Sequence, residues 1–130
     1  MTNLYKKIKL LGNGKFGHVY LAEHLRNKQK VALKIESELL EFSLIKQEAK
    51  ILFYLHQQSN PYVPTIFWYG KIENSLSLAM TYYEQSYEGY LLSPEFKENR
   101  AIMSLFYFNK MIDILESIHS EFLLHRDIKP

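Results

Sequence analysis

Three glycines near the start of the chain have the spacing of a phosphate-binding loop. The segment from Leu11 to Val19 reads L-G-N-G-K-F-G-H-V, with glycine at positions 12, 14 and 17. Because glycine has no Cβ, the backbone N–H groups of such a loop can approach anionic oxygens closely. A plain glycine-rich hairpin has the same pattern, so the glycines by themselves leave both interpretations open.

A dinucleotide-binding fold is a third interpretation of these glycines. It requires a helix that opens within the motif and an acid about 20 residues further on, and Glu36 and Glu38 lie near that distance. The residues after Gly17 are of β-forming types, H-V-Y-L-A-E-H, and only 13 residues separate Gly17 from Val31. This leaves no room for a packed helix and a turn, and the interpretation is disfavoured.

Lys34 lies in the apolar segment V-A-L-K-I-E, where a charge is unexpected. Burial of an ammonium group is costly unless the group is paired. The alternation places Ala32 and Lys34 on one face, where Ala32 would offer a flat floor for a purine ring and Lys34 would reach phosphates. Glu48, on the same helix side as Ile45 and Leu52, is a candidate partner for Lys34. A solvated lysine and an exposed glutamate are the plainer alternatives.

The segment H-R-D-I-K-P at the end of the sequence places Asp127 next to basic residues. An aspartate in such a setting can act as a general base. The same stretch, considered without its context, is an ordinary charged segment. Its interpretation therefore depends on the motifs that precede it.

Hydrophobic periodicity predicts the elements that would position these residues. Alternating apolar residues indicate three strands joined by short turns, then a helix, two further strands and a long final helix. Breakers such as Asn60-Pro61 separate these segments. The predicted strands are 5–12, 18–24, 31–36, 65–70 and 76–83, and the predicted helices are about 41–56 and 97–120.

The last predicted helix is apolar on nearly all of its sides. Ile102, Leu105 and Phe108 define one face, and Met103 and Phe106 add apolar groups elsewhere. A helix of this kind belongs in the middle of a larger domain. We therefore expect the 130 residues to be part of a larger folded unit.

The composition is that of an ordinary globular domain, with 47% apolar and 23% charged residues. The net charge of +2, with Lys and Glu interleaved, does not favour nucleic acid as a partner. The sequence has no cysteine, no signal-peptide pattern and no apolar run of the about 18 residues that a membrane span needs. We expect a soluble monomer without membrane or nucleic-acid partners, located in the cytoplasm with the nucleus as a second location.

Taken together, the motifs resemble those of a eukaryotic-type protein kinase. The glycine loop, V-A-L-K, Glu48 and H-R-D-I-K-P occur in the kinase order with plausible spacing. The details resemble most closely the casein kinase 1 family, in which the lysine and the helical glutamate are likewise 14 residues apart. The segments that carry this closer resemblance are V-A-L-K-I-E, V-P-T-I-F-W-Y-G, A-M-T-Y-Y-E-Q-S-Y-E-G-Y-L, I-L-E-S-I-H-S and L-L-H-R-D-I-K-P.

The resemblance implies an α+β fold over residues 1–130, as a partial kinase domain. A kinase-like N-lobe, made of a five-stranded antiparallel sheet and one helix, would end with a hinge at about residue 83. The first helices of an incomplete C-lobe would occupy 84–130. The implied activity is transfer of a phosphoryl group from ATP, with Mg²⁺, to a serine or threonine hydroxyl of a protein substrate.

The resemblance also implies an ATP site. The glycines would cover the phosphates, and Lys34 would bind the α and β phosphates while pairing with Glu48. Leu11, Val19 and Ala32 would sandwich the adenine, with Met80 as gatekeeper. Tyr82 and Tyr83 would supply hinge backbone groups to the adenine edge. The full implied set is Leu11, Gly12, Gly14, Gly17, Val19, Ala32, Lys34, Glu48, Met80, Tyr82 and Tyr83.

The implied catalytic residues are Asp127, Lys129 and Lys34. Asp127 would accept or orient the proton of the substrate hydroxyl. Lys129 would contact the γ-phosphate, in the arrangement typical of serine/threonine rather than tyrosine kinases. His125 and Arg126 would brace the catalytic loop.

Two departures from the family pattern qualify this activity. The hinge T-Y-Y and the segment E-Q-S-Y-E-G-Y differ from the usual residues, so an inhibitor preference does not transfer. The catalytic-loop Asn and the Asp of the D-F-G motif, which hold Mg²⁺ in kinases, are not among the 130 residues, and we assign no metal ligand in this chain. We expect residues 1–130 to lack phosphotransfer activity. A kinase-like module that binds nucleotide or a partner without catalysis, and a non-functional relic, are the alternatives.

Overall fold

The computed structural model describes residues 4–38 and 42–128 and divides the chain into two compact units, Met1–Tyr82 and Tyr83–Pro130. The first unit contains a sheet and one helix, and the second contains three helices. The elements are β1 Tyr5–Gly14, β2 Gly17–His24, β3 Lys30–Glu36, α1 Leu44–Gln57, β4 Ile66–Ile72, β5 Ser75–Thr81, α2 Tyr87–Leu91, α3 Pro94–Glu98 and α4 Arg100–His119.

The sheet of the first unit is antiparallel with the strand order β1-β2-β3-β5-β4. This confirms the predicted α+β class, with a five-stranded antiparallel sheet and a helix after the third strand. The β4–β5 hairpin turns at Glu73 and Asn74, whose φ angles of 48° and 72° are those of the left-handed turns that match the twist of paired strands. Both strands of this hairpin extend further toward the turn than the periodicity predicted, and β5 ends at Thr81 and not at residue 83 as predicted.

Each face of the sheet contributes to a separate cluster of buried residues. On one face, Val31 and Leu33 pack with Tyr5, Ala22 and Ala79. The opposite face carries Leu78 and packs against helix α1. The residues buried on that second face are Ile45, Ala49, Leu52 and Leu78.

Strand β4 contributes to both clusters because it contains a bulge. Ile66 pairs with Met80 and Trp68 pairs with Ala79, so Phe67 is an extra residue between two successive pairs. In a regular strand, residues two apart point to the same face. Here Ile66 packs on the helix side, whereas Trp68 packs against the cluster on the other face.

The start and the buried face of helix α1 are both explained by its sequence. Ser43 is the N-cap, and its side-chain oxygen accepts a hydrogen bond from the N–H of Lys46. The buried residues Ile45, Ala49, Leu52 and Leu55 have helical spacing. The first three pack with Leu78 of the sheet. The predicted start at residue 41 lies outside the described residues.

The second unit differs from the single long helix predicted over 97–120. Asn99 has φ −120° and ψ 30°, which ends α3 at Glu98 before α4 begins at Arg100. The prediction of one continuous helix was therefore wrong at its start. The short helices α2 and α3 pack through an aromatic cluster with α4, made of Tyr87, Tyr90, Phe96, Phe106 and Tyr107.

Helix α4 contains no buried residue, and Ile102, Leu105 and Phe108 are all more than half exposed. The exposed apolar side chains agree with the prediction that this helix is apolar on nearly all of its sides. Within the described residues, no helix is both long and apolar enough to span a membrane.

Candidate functional site

The three glycines lie in the hairpin that joins β1 to β2. Gly14 pairs with Gly17 across a turn formed by Lys15 and Phe16. Gly17 has φ 139°, and a Cβ at this position would lie 2.1 Å from the carbonyl oxygen of Ile35. Glycine is therefore required here by backbone conformation and by the close approach of β3.

Gly12 and Gly14 meet a different environment, because a Cβ at either position would have nothing within 4 Å. Both glycines line a cavity. The tip of the hairpin is held at the end of β3 by a hydrogen bond of 3.1 Å from the N–H of Ser37 to the carbonyl of Phe16. The segment is thus a hairpin by conformation, and it also lines a cavity. A glycine-rich hairpin and a phosphate-binding loop, the two interpretations left open by the sequence, are therefore compatible.

The cavity beneath the hairpin has a volume of about 300 Å³. Lys34 is the one cation among the described residues that line it. Glycine backbone and apolar side chains supply most of the remaining wall. The lining residues are Gly12, Asn13, Gly14, Phe16, Gly17, Val19, Lys34, Glu36, Leu44 and Ile45.

Lys34 is paired with Glu48, as its sequence context predicted. The ammonium of Lys34 donates a hydrogen bond to Oε2 of Glu48 at 2.5 Å, and both side chains are 32% exposed. Lys34 lies on the sheet face that carries Leu78, since the two residues are paired directly across β3 and β5. The cation is therefore held by the helix at the edge of the cavity and is not free in solvent.

Glu36 also lines the cavity, and no role at this site was predicted for it from the sequence. It is 8% exposed, and its carboxylate accepts hydrogen bonds from the N–H groups of Leu44 and Ile45 and from the hydroxyl of Ser43. A carboxylate at the first backbone N–H groups of a helix complements their partial positive charge. The sequence gives only an indirect signal for this contact. The first turn of α1 contains no acidic residue of its own, so a carboxylate from elsewhere can take that place.

The residues expected at the adenine lie further along the same face of the sheet. Val19 pairs with Lys34, Leu21 pairs with Ala32, and Ala32 pairs in turn with Met80. Directly paired residues share a face, so Val19, Ala32, Lys34 and Met80 form one continuous surface. Met80 packs against the cluster of α1 and β5.

Leu11 and the two hinge tyrosines are placed differently from this surface. Leu11 lies in a register shift of β1, between Leu10 and Gly12, and is 41% exposed. Tyr82 is the last residue of the first unit and is half-buried, whereas Tyr83 belongs to the second unit and is 61% exposed. Among the described residues, none of these three lines the cavity.

The predicted catalytic segment lies in the second unit, after α4. His125, Arg126 and Asp127 are exposed and outside any helix or strand. Arg126 has φ 63°, and the N–H of Asp127 donates a hydrogen bond to Nδ1 of His125 at 3.3 Å. Lys129, the other predicted catalytic residue of this segment, lies outside the described residues.

A dinucleotide-binding fold is incompatible with this structure. The residues that follow the last glycine form strand β2, which pairs with β1 and β3. No helix opens within the glycine motif in the described residues 4–38. The expectation drawn from the β-forming residues after Gly17 is confirmed.

The order of the elements and the motifs agrees with one family of known proteins. The family model described as protein kinase domain matches residues 5–130. The chain belongs to the protein kinase family. Kinases in general use ATP and Mg²⁺ and transfer a phosphoryl group to a protein substrate.

The cavity of this kinase fits the phosphates of ATP in its chemistry. Gly12 and Gly14 leave open space beside backbone groups, and Lys34 supplies a positive charge that Glu48 holds in place. When bound, ATP would bring the transferable phosphoryl group, and Lys34 would bind its phosphate oxygens. The role of each residue toward ATP remains a prediction that rests on the kinase pattern.

The metal that kinases use has no evident site in the described part of this chain. No group of three or more His, Cys, Asp or Glu residues that could hold a metal ion occurs among residues 4–38 and 42–128. The kinase residues that hold Mg²⁺, the catalytic-loop Asn and the Asp of D-F-G, are likewise not among the 130 residues.

Proposed function

We propose that the protein is an ATP-dependent serine/threonine kinase of the casein kinase 1 type. The observation that carries the proposal is the Lys34–Glu48 pair at the edge of the cavity beneath the glycine hairpin. A paired lysine can bind phosphate oxygens without moving when ATP enters. The spacing of this pair and the residues V-A-L-K-I-E support the casein kinase 1 assignment.

The catalytic step is assigned to the segment that contains Asp127. Asp127 would orient the acceptor hydroxyl and take its proton while the γ-phosphoryl group moves from ATP to the hydroxyl oxygen and ADP leaves. Lys129, two residues later, would neutralise charge on the γ-phosphate, and this supports serine or threonine as the acceptor. Leu11, Val19, Ala32, Met80, Tyr82 and Tyr83 would form the adenine site.

Nucleotide binding and phosphoryl transfer have different requirements in this chain. Residues 1–130 by themselves contain the proposed ATP cavity but not the Asn and Asp that hold Mg²⁺ in kinases. We therefore expect this chain to bind ATP and to transfer no phosphoryl group. A module that binds nucleotide without catalysis is the second candidate function, and the same observation supports it.

Calorimetric titration of residues 1–130 with ATP, followed by a phosphotransfer assay with labelled ATP and casein, tests these proposals. Saturable ATP binding supports the proposed site. Its absence would contradict the site and favour a non-functional relic. Label transfer to casein that Asp127→Ala abolishes would contradict the expected inactivity of this chain, and phosphoamino-acid analysis of the product would test the assignment to serine and threonine.

We also propose that the protein acts as a monomer in the cytoplasm, with the nucleus as a second location. The modest net charge of +2 gives no reason to expect nucleic acid as a partner. Sedimentation of the purified chain and fractionation of cells that express it would test these two assignments separately.

A further inference from the structure

Strand β3 holds helix α1 at two points. The first is the ion pair of Lys34 with Glu48, at 2.5 Å. The second is the carboxylate of Glu36, which accepts from the N–H of Leu44 at 2.6 Å and from the N–H of Ile45 at 3.1 Å. The two contacts lie on the same pair of elements, but only the first belongs to the predicted ATP site.

The carboxylate of Glu36 completes the N-terminus of α1. Its other oxygen accepts from the hydroxyl of Ser43 at 2.8 Å, and that hydroxyl oxygen in turn accepts from the N–H of Lys46 at 3.1 Å. The first backbone N–H groups of a helix have no partner within the helix. Here Glu36 and Ser43 together satisfy those of Leu44, Ile45 and Lys46.

The two contacts are about equally far apart along strand β3 and along helix α1. Lys34 and Glu36 are two residues apart on a strand, which corresponds to about 6.6 Å. Leu44 and Glu48 are four residues apart on a helix, which corresponds to about 6 Å. Because the lower-numbered strand residue contacts the higher-numbered helix residue, the two elements run in opposite directions at this contact, and both contacts form together in one register.

The ion pair by itself is a weak restraint on the helix. Its side chains are each 32% exposed, and ion pairs with this access to water contribute little to stability. Glu36 is nearly buried, and its carboxylate accepts three hydrogen bonds. Hydrogen bonds to a carboxylate are individually stronger than those between neutral groups. The contact that fixes the end of the helix is therefore the one made by Glu36.

We propose that Glu36 is a positioning residue that holds the N-terminus of α1 against β3 and thereby keeps Glu48 within reach of Lys34. Its consequence for nucleotide binding rests on the proposed function, whereas its effect on the geometry of the pair does not. Glu36 would thus influence the phosphate-binding lysine without contacting phosphate, because its carboxylate is engaged by the helix.

A first experiment measures the geometry of the pair in solution by NMR, in the chain of residues 1–130. In Glu36→Ala, we expect amide hydrogen exchange at Leu44 and Ile45 to become about tenfold faster or more. We also expect loss of the nuclear Overhauser contacts between the side chains of Lys34 and Glu48. Glu38→Ala is the matched control, since Glu38 is an exposed acid two residues later and should leave both readouts unchanged.

A conservative variant separates positioning from general stability. Glu36→Gln keeps an acceptor oxygen but no charge, so the contacts between Lys34 and Glu48 should be weakened and not lost. Full retention of these contacts in a folded Glu36→Ala chain would overturn the proposal. Unfolding of both variants would also overturn it, because Glu36 would then be a general stability residue.

A second experiment asks whether Glu36 acts through the pair. If it does, Glu36→Ala should reduce ATP affinity in the wild-type background and cause no further loss in a Glu48→Gln background. Losses that multiply in the double variant would refute action through the pair. If the wild-type chain does not bind ATP at all, the proposed function fails, while the NMR contacts still decide the role of Glu36.

Discussion

The ammonium of Lys34 and the carboxylate of Glu48 are 2.5 Å apart, although the two residues are 14 positions apart along the chain. Strand β3 and helix α1 bring them together, and the buried residues Ile45 and Leu52 on either side of Glu48 in sequence fix the face that the helix presents to the sheet. The pair therefore depends on the apolar packing of α1 as well as on its own charges.

Replacement of Lys34 by methionine should weaken ATP binding. The variant removes the one cation among the described lining residues of the cavity while keeping a side chain of similar length. Loss of a charge-assisted hydrogen bond predicts a decrease in affinity of about tenfold or more, measured by calorimetric titration with ATP. Lys30→Met, at the exposed start of the same strand, is the control and should bind as the wild type does. Equal affinities of Lys34→Met and wild type would count against the proposed pocket.

Substitution of alanine for Gly17 should destabilise the first unit. The positive φ of 139° and the approach of a Cβ to 2.1 Å from the carbonyl oxygen of Ile35 both oppose a side chain. We expect a loss of about 2 kcal/mol or more in the free energy of unfolding. Urea denaturation followed by the fluorescence of Trp68 measures it, since Trp68 is the only tryptophan and packs in this unit.

Gly14→Ala is the matched control for the glycine experiment, because a Cβ there would meet open space. Its free energy of unfolding should change by about 1 kcal/mol or less. Equal losses at the two positions would show that the close approach of β3 to the hairpin is not what makes glycine necessary at position 17.

Two isoleucines of helix α1 give a test of which face is buried. Ile45 is 1% exposed and Ile51 is 45% exposed, so the same substitution by alanine should have different costs. We expect Ile45→Ala to lower the free energy of unfolding by about 2–5 kcal/mol and Ile51→Ala by about 1 kcal/mol or less, again from the fluorescence of Trp68. A reversed order would mean that the helix packs on the sheet by another face.

Tyr90 should make the second unit sensitive to alkaline pH. Burial, together with the hydrogen bond to Tyr107, raises the pKa of Tyr90 from 10.0 to about 12. The folded state thus favours the neutral phenol, so this contribution to stability is complete below pH 10 and is lost as the pH rises from about 10 toward 12. Titration followed by tyrosinate absorbance should show a late phase that Tyr90→Phe diminishes. A remainder is expected because burial also raises the pKa of Tyr5.

Tyr83→Phe is the control for the alkaline titration, because Tyr83 is 61% exposed and lies outside the aromatic cluster. The late phase should persist in this variant. A late phase of unchanged amplitude in Tyr90→Phe would assign it to tyrosines other than Tyr90 and contradict the prediction.

Most of the first unit could be predicted because its signals are local. Alternation in the strands and three-to-four spacing in α1 indicated the elements. The apolar face of α1 also made Glu48 a candidate partner for Lys34, with an exposed glutamate as the alternative, and the structure contains the pair. Glu36 was not predicted as a cap because its contacts depend on the position of α1 relative to β3. The bulge at Phe67 was missed because it depends on pairing between strands.

The second unit was predicted less well, because its short helices have too few turns to show a period. Helix α3 nevertheless has a readable start: Ser93 is its N-cap, Pro94 follows, and Glu95 lies in the first turn. The break at Asn99 within an apolar stretch has no comparable signal. Of the predicted catalytic segment, the described residues include Asp127 but not Lys129.

The bulge at Phe67 has a consequence for the cooperativity of unfolding. Because Ile66 and Trp68 pack in different clusters, detachment of strand β4 from β5 would expose apolar surface on both faces of the sheet in a single step. The edge strand thus couples two clusters that the sheet otherwise keeps apart. The first unit is therefore expected to melt in one transition and not through an intermediate that retains one cluster.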